Sequence, residues 1–139
     1  MFLDTSVIVA IIAREPGWEE ILKRLDLADR GLLFSPITRF EAVLGIARKY
    51  QSPEKPKSRQ MVAAANAAVD EFLSAAGAKE IAVTPEIGLM AVEAATTYGK
   101  AVGHPADLNF GDCFSYACAK ALKVTLAYKG DDFALTDLG

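Results

Sequence analysis

Short apolar runs that pass directly into stretches of helical spacing recur along the whole chain, and this alternation constrains the fold more than any other feature of the sequence. Met1 to Leu3 is such a run; it ends in Asp4-Thr5-Ser6, residue types that cap helices, and Val7 to Ala13 continues as the helix. Pro16-Gly17 breaks this helix, and Trp18, Ile21, Leu22, Leu25 and Leu27 then recur at near-helical spacing up to Gly31. Leu32-Leu33-Phe34 reads as a second strand closed by Ser35-Pro36, after which Phe40, Val43, Leu44 and Ala47 lie along one helical face. A proline loop from Gln51 to Pro56 leads to an Ala-rich helix from about Lys57 to Ala76, closed at Gly77. Ile81-Ala82-Val83 before Thr84-Pro85-Glu86, and Val124 to Ala127 after a helix from about Gly111 to Leu122, supply two further strands.

The order β-α-β-α-β-α-β predicts an α/β fold: a central parallel sheet of about four to five strands, flanked by helices on both faces and joined by right-handed crossovers. In open sheets of this kind, sites form at the carboxyl ends of the strands. With 139 residues, no repeat, no low-complexity tail and no change of composition, residues 1–139 are expected to form one domain with one site. Hydrophobic residues make up 52% and charged residues 24%, the balance of a folded soluble protein. Val7 to Ala13 is too short to span a bilayer and follows Asp4, not a basic cluster, so neither signal peptide nor membrane anchor is expected. Cys113 and Cys118 lie five apart in a predicted helix and cannot pair, and with a single distant histidine they make a poor zinc site; a reducing cytoplasm fits best. A formal charge of −3 means that affinity for nucleic acid has to come from a local patch or a bound cation.

No phosphate loop of the G-x-x-x-x-G-K-[ST] or G-x-G-x-x-G kind follows any strand, and one histidine, His104, excludes H-E-x-x-H zinc sites. His104-Pro105 reads as a structural loop more readily than as a catalytic base. Acidic residues, in contrast, recur near strand ends: Asp4 after the first, Glu41 early in the helix after the second, Asp112 at the start of a late helix, and Asp131-Asp132 after the last. Each has an ordinary explanation. Asp4-Thr5-Ser6 can cap a helix, Thr38-x-x-Glu41 and Asn109-x-x-Asp112 have capping-box spacing, and Lys129 to Asp132 can be a turn. Gathered at one end of a sheet, however, carboxylates repel by about 4 kcal/mol per close pair at an effective dielectric near 20, which structure alone would not favour. A divalent cation removes the conflict, and an acidic, His-poor set of hard oxygen ligands suits Mg²⁺ or Mn²⁺.

The opening Phe2-Leu3-Asp4-Thr5-Ser6-Val7-Ile8, the segment Leu108-Asn109-Phe110-Gly111-Asp112-Cys113-Phe114-Ser115-Tyr116-Ala117 and the closing Tyr128 to Leu138 resemble, in order and spacing over nearly the full length, PIN domains of the VapC toxin family. The resemblance implies a PIN fold, Mg²⁺ or Mn²⁺, endoribonuclease activity on RNA such as tRNA or rRNA, inhibition by a cognate VapB-type antitoxin, and a homodimer. It carries four acidic positions onto Asp4, Glu41, Asp112 and Asp132. Asp4 and Asp112 are then the principal metal ligands, Glu41 a ligand or water-orienting group, and Asp132 an outer carboxylate. Ser6 is expected to hydrogen-bond this shell, and Asp131 is an alternative to Asp132. Gln51 to Glu80 carries no family motif.

Arg48, Lys49, Lys55, Lys57 and Arg59 gather around the proline loop, as a phosphate-holding patch or as a solvated helix end. Ile11, Ile12 and Trp18 are either core or an apolar groove for an antitoxin helix. Two other classes of function fit the same chain: a PIN-fold binding module whose acidic pocket receives Arg or Lys of a partner, and a phosphotransfer domain. The second lacks a D-x-D opening and the paired acids of a receiver.

Overall fold

A computed structural model describes all 139 residues. Four short parallel strands, β1 (Phe2–Leu3), β2 (Leu33–Phe34), β3 (Lys79–Glu80) and β4 (Leu126–Ala127), lie in the order β3-β2-β1-β4. Phe2 pairs with Leu33 on one side and Leu126 on the other, and Leu33 pairs with Lys79. The six α-helices are α1 (Thr5–Ile12), α2 (Trp18–Asp26), α3 (Pro36–Tyr50), α4 (Arg59–Ala75), α5 (Pro85–Tyr98) and α6 (Phe110–Leu122).

Alternation along the strands divides the core into two layers, because successive strand side chains point to opposite faces. Leu3, Leu32, Phe34 and Ala127 face the layer covered by α1 to α4, where Val7, Ile8, Ile46, Val69 and Leu73 are buried. Phe2 faces the other layer, with Leu33 and Leu126 packed against it, and there α5 and α6 bury Ile87, Ala91, Ala117 and Cys118. From β1 the chain builds outward to β2 and β3 and then returns to place β4 on the other side of β1. The crevice between the carboxyl ends of β1 and β4 is therefore the topological switch point of the sheet.

Several local expectations are corrected. The third strand is Lys79–Glu80 rather than Ile81 to Val83. As the edge strand it is set by its ladder to β2, with Lys79 donating to the Leu32 carbonyl at 2.8 Å and Ile81 to that of Phe34 at 2.8 Å, while Ile81 and Val83 turn in to pack beneath α5. The capping box of α3 is Ser35 with Thr38, not Thr38 with Glu41, because the helix begins at Pro36. Its buried face is Ala42, Val43, Ile46 and Ala47, and Phe40 and Leu44 are exposed. Ile11 is buried at the floor of an apolar hollow of about 490 Å³ that it shares with Leu22, Leu25 and Phe72, and Ile12 and Trp18, half-buried, pack against the α1–α4 core, with the Arg14 guanidinium over the indole at 5.6 Å. His104 accepts a hydrogen bond at Nδ1 from the Ala106 N–H at 3.0 Å and stands edge-on to Tyr98, a loop-fixing role away from the carboxylates.

Candidate active site

A hollow of about 590 Å³ opens at the switch point, lined by Asp4, Thr5, Ser6, Val9, Glu41, Gly45, Arg48, Lys49, Asn109, Asp112 and Asp132. The four acidic positions singled out in the sequence thus reach one pocket from four separate segments of the chain. Asp131, the alternative fourth acid, is exposed and does not line it.

Asp4 occupies the junction between β1 and α1. Its backbone N–H donates to the Ala127 carbonyl at 2.9 Å, extending the ladder to β4, and its side chain caps α1. The residue is 4% exposed. Oδ2 accepts from the Ser6 N–H at 2.9 Å and from the Ser6 hydroxyl at 2.6 Å; Oδ1 receives no bond and is left to the pocket. Ser6 Oγ in turn accepts from the Lys129 backbone N–H at 3.0 Å. This chain fixes the Asp4 carboxylate and ties the segment after β4, which carries Asp132, to the start of α1. The ordinary capping role and the chemical one coexist, since each uses a different oxygen.

Glu41 stands one turn into α3, half-buried, where Thr5 Oγ1 donates to its Oε1 at 3.3 Å. Burial first, and then the charge of Asp4, push its pKa up, against the Thr5 hydrogen bond and the nearby Arg48 charge. Asp112 is the third helical residue of α6, in a reciprocal capping box with Asn109: the Asn109 N–H donates to Asp112 Oδ2 at 3.0 Å, and the Asp112 N–H donates to Asn109 Oδ1 at 3.0 Å. Burial raises its pKa to about 6; the Asn109 bond opposes this, and the charges of Asp4, Asp132 and Glu41 add to it. The carboxylates therefore sense one another, the electrostatic conflict anticipated from the sequence.

Three contributors had no signal strong enough to be read as site residues. Gly111 lies against Glu41, and a methyl group there would run into the carboxylate. Thr5 and Asn109 orient the two acids whose pKa values are raised. Gly111 had one hint, a glycine in the first turn of a helix immediately before an acid, where helix propensity argues against it. On the rim, Glu15 bridges Lys49 at 2.8 Å and Lys129 at 2.6 Å, and these two lysines hold its carboxyl below the usual range.

The donor set suits a hard divalent cation, because Asp4, Glu41, Asp112 and Asp132 offer only oxygen to the hollow and like-charge repulsion among them is relieved by positive charge. No three of them close on one point as a finished cage.

An open parallel α/β sheet with an acidic hollow at its switch point defines the class, and comparison with known proteins identifies the family. The PIN domain model matches residues 1–138. A VapC ribonuclease of Rhizobium meliloti is 48% identical over 140 residues, covering 99% of each chain, and ribonuclease VapC30 of Mycobacterium tuberculosis is 35% identical over 138 residues, covering 99% of this chain and 95% of that one. The chain belongs to the PIN-domain family and, within it, to the VapC ribonucleases. Solved structures share the fold. Mycobacterium tuberculosis VapC20, described as a sarcin–ricin loop cleaving toxin, superimposes with a TM-score of 0.65 at 21% identity, covering 96% of this chain and 92% of that one. A toxin–antitoxin complex from Klebsiella pneumoniae gives 0.66 at 19% identity, covering 99% and 92%. No helix is long and apolar enough to cross a membrane.

Proposed function

We propose that this chain is a Mg²⁺- or Mn²⁺-dependent endoribonuclease toxin that hydrolyses phosphodiester bonds of tRNA or rRNA and is held inactive by a VapB-type antitoxin. The observation that carries this reading is the convergence of Asp4, Glu41, Asp112 and Asp132 on one hollow, where burial and mutual repulsion hold Asp112 near pKa 6. Asp4 and Asp112 would hold the cation through the oxygens their caps leave free, with Glu41 as ligand or water-orienting group and Asp132 as an outer carboxylate. When bound, the cation supplies positive charge for the phosphate and lowers the pKa of an attacking water.

The rest is done by the chain itself. Ser6 and the Lys129 N–H prevent Asp4 from rotating, Thr5 and the bare Cα of Gly111 set the position of Glu41, and Asn109 sets that of Asp112. These supports place the acids before substrate arrives, so little reorganisation is left to the reaction. The names of the relatives and the toxin–antitoxin complex among the structural neighbours support an antitoxin partner and an RNA substrate. The homodimer belongs on the face of α5 and the start of α6, where Val92 and Phe110 are exposed on an apolar hollow of about 520 Å³.

Antitoxin-free protein incubated with end-labelled tRNA or rRNA in Mg²⁺, in Mn²⁺ or in EDTA tests the reading. Discrete cuts that vanish with EDTA and with Asp112→Asn are expected. Intact RNA across broad substrate panels, from a folded and metal-supplied sample, would overturn it in favour of a PIN-fold binding module.

A further inference from the structure

The acid hollow does not end at its carboxylates. Arg48 also lines a second, adjoining hollow of about 740 Å³, whose other lining residues are Gln51, Ser52, Pro53, Pro56 and Lys57, with no hydrophobic side chain among them. The two spaces meet at the last turn of α3. Gly45, one turn earlier, lines only the acid hollow; a methyl group there would meet Val9 Cγ2 at 3.1 Å, so the glycine lets α1 pack closely on α3 beside Arg48.

The cations of this loop form no ion pair, although Arg48 stands near enough to Glu41 for its charge to oppose the rise in that residue's pKa. Lys23, Arg39, Lys49, Lys120 and Lys129 each have a carboxylate partner, whereas Arg48, Lys55, Lys57 and Arg59 have none. The single acid of the loop, Glu54, is exposed and does not line the hollow. The loop is also held in shape. Ser52 and Lys55 exchange backbone hydrogen bonds of 3.0 Å, the Lys55 N–H donates to Ser52 Oγ at 3.1 Å, and Pro53 and Pro56 restrict the backbone on either side. Because Ser52 Oγ is an acceptor in that bond, its own hydrogen remains free to donate.

We propose that Arg48, Ser52 and Lys57 form a second phosphate site for the substrate, so that an RNA strand engaged at the carboxylates leaves the pocket across the C-terminal end of α3. This rests on the ribonuclease reading and adds a direction to it. A cationic site of this kind answers a problem set by the net charge of −3: the carboxylates attract a cation but repel the rest of the polyanion, and flanking phosphates need counter-charge of their own. The competing account is that basic residues in the last turn offset the negative end of the α3 dipole. That account covers Arg48 but not Lys57, which lies outside every helix.

The test measures binding of a fluorescein-labelled single-stranded RNA by anisotropy across a KCl series, in an Asp112→Asn background that does not cut. Arg48→Gln and Lys57→Gln should each weaken binding several-fold, equally for RNAs of different sequence, and each reduce the slope of log affinity against log salt by about 0.7. Arg48→Lys should retain most of the slope, and Lys79→Gln, at the opposite end of the sheet, should leave it unchanged. In otherwise wild-type protein, Arg48→Gln should raise KM more than it lowers kcat. An unchanged slope with a lowered melting temperature, or an equal slope change with Lys79→Gln, would overturn the site. Cleavage by the unsubstituted protein in parallel separates the two claims: RNA cut normally with slopes unmoved defeats the phosphate site alone, and RNA left intact defeats the ribonuclease reading itself.

Discussion

Asp112 combines a structural and a chemical demand in one side chain, and the two separate under titration. Its pKa stands near 6 in the folded chain against an ordinary 3.8, so folding disfavours the ionised form. The sign follows: its contribution to stability is fully present below pH 3.8 and is lost as the pH rises through 6. At pH 7 the metal-free protein therefore carries a penalty that Asp112→Asn removes, with the Asn109 cap still accepted by the amide oxygen. Thermal or urea unfolding at pH 7 in EDTA should show the variant more stable by roughly 1–2 kcal/mol, after allowing for screening by water. The gap should close below about pH 4, and Mg²⁺ should stabilise the wild type more than the variant while the variant loses at least about 100-fold in activity. Gly111 gives the opposite combination. Alanine in a helix normally gains about 0.5–1 kcal/mol over glycine, but here the methyl group meets the Glu41 carboxylate. Gly111→Ala should lower kcat by roughly tenfold or more, a displacement of Glu41 costing at least about 1.4 kcal/mol of transition-state stabilisation, with no gain in melting temperature; wild-type kcat would show that Glu41 has room to move.

Between elements, the link from Lys129 through Ser6 to Asp4 joins the segment after β4 to the start of α1. Ser6→Ala removes two hydrogen bonds and leaves the Lys129 N–H without its acceptor, a loss of about 1–3 kcal/mol. Hydrogen exchange should quicken at Lys129 and its neighbours, and Ser6→Thr should restore protection; unchanged exchange in Ser6→Ala would mean that the segment is held from elsewhere. The same scale shows why parts of the fold were legible in the sequence and others were not. β1, β2 and β4 are buried strands followed or preceded by cap residues, so composition and spacing coincide in them. β3 is an exposed edge whose position depends on its ladder to Leu33 and Phe34, a long-range fact that no local pattern carries. Phe40 and Leu44 suggested a core face for α3, but helical spacing alone cannot choose between neighbouring stripes, and Ala42, Val43, Ile46 and Ala47 meet the sheet layer instead. Asp4 and Asp112 stood out because they lie at helix starts, Asp132 because it follows the last strand and Glu41 because it lies in the first turns after the second; Asn109 was visible only as a cap, and Thr5 and Gly111 act through Glu41, which folding brings near from 36 positions away in the case of Thr5.

At the scale of the molecule, the distribution of apolar surface offers a face for the proposed homodimer. Val92 on α5 and Phe110 at the start of α6 are 64% and 68% exposed, and they line a hollow together with Ala91, Ala95, Ala101, Leu108 and Phe114. Monomers rarely keep such a patch in water, and covering it with its own copy about a twofold axis is the economical solution. Asn109 lines both this hollow and the acid pocket, so a dimer closed here sets the edge of one active site beside the partner copy. Val92→Glu places a charge in the middle of the face without touching the core beneath it. Light scattering at micromolar concentration should then report a monomer for the variant and a dimer for the wild type. Melting at that concentration should fall by the linkage of dimerisation alone, while cleavage per chain drops only to the extent that the partner shapes the substrate groove. A wild type that is already monomeric, or a Val92→Glu dimer of unchanged affinity, would remove α5 and the start of α6 as the interface and leave that apolar surface for another partner.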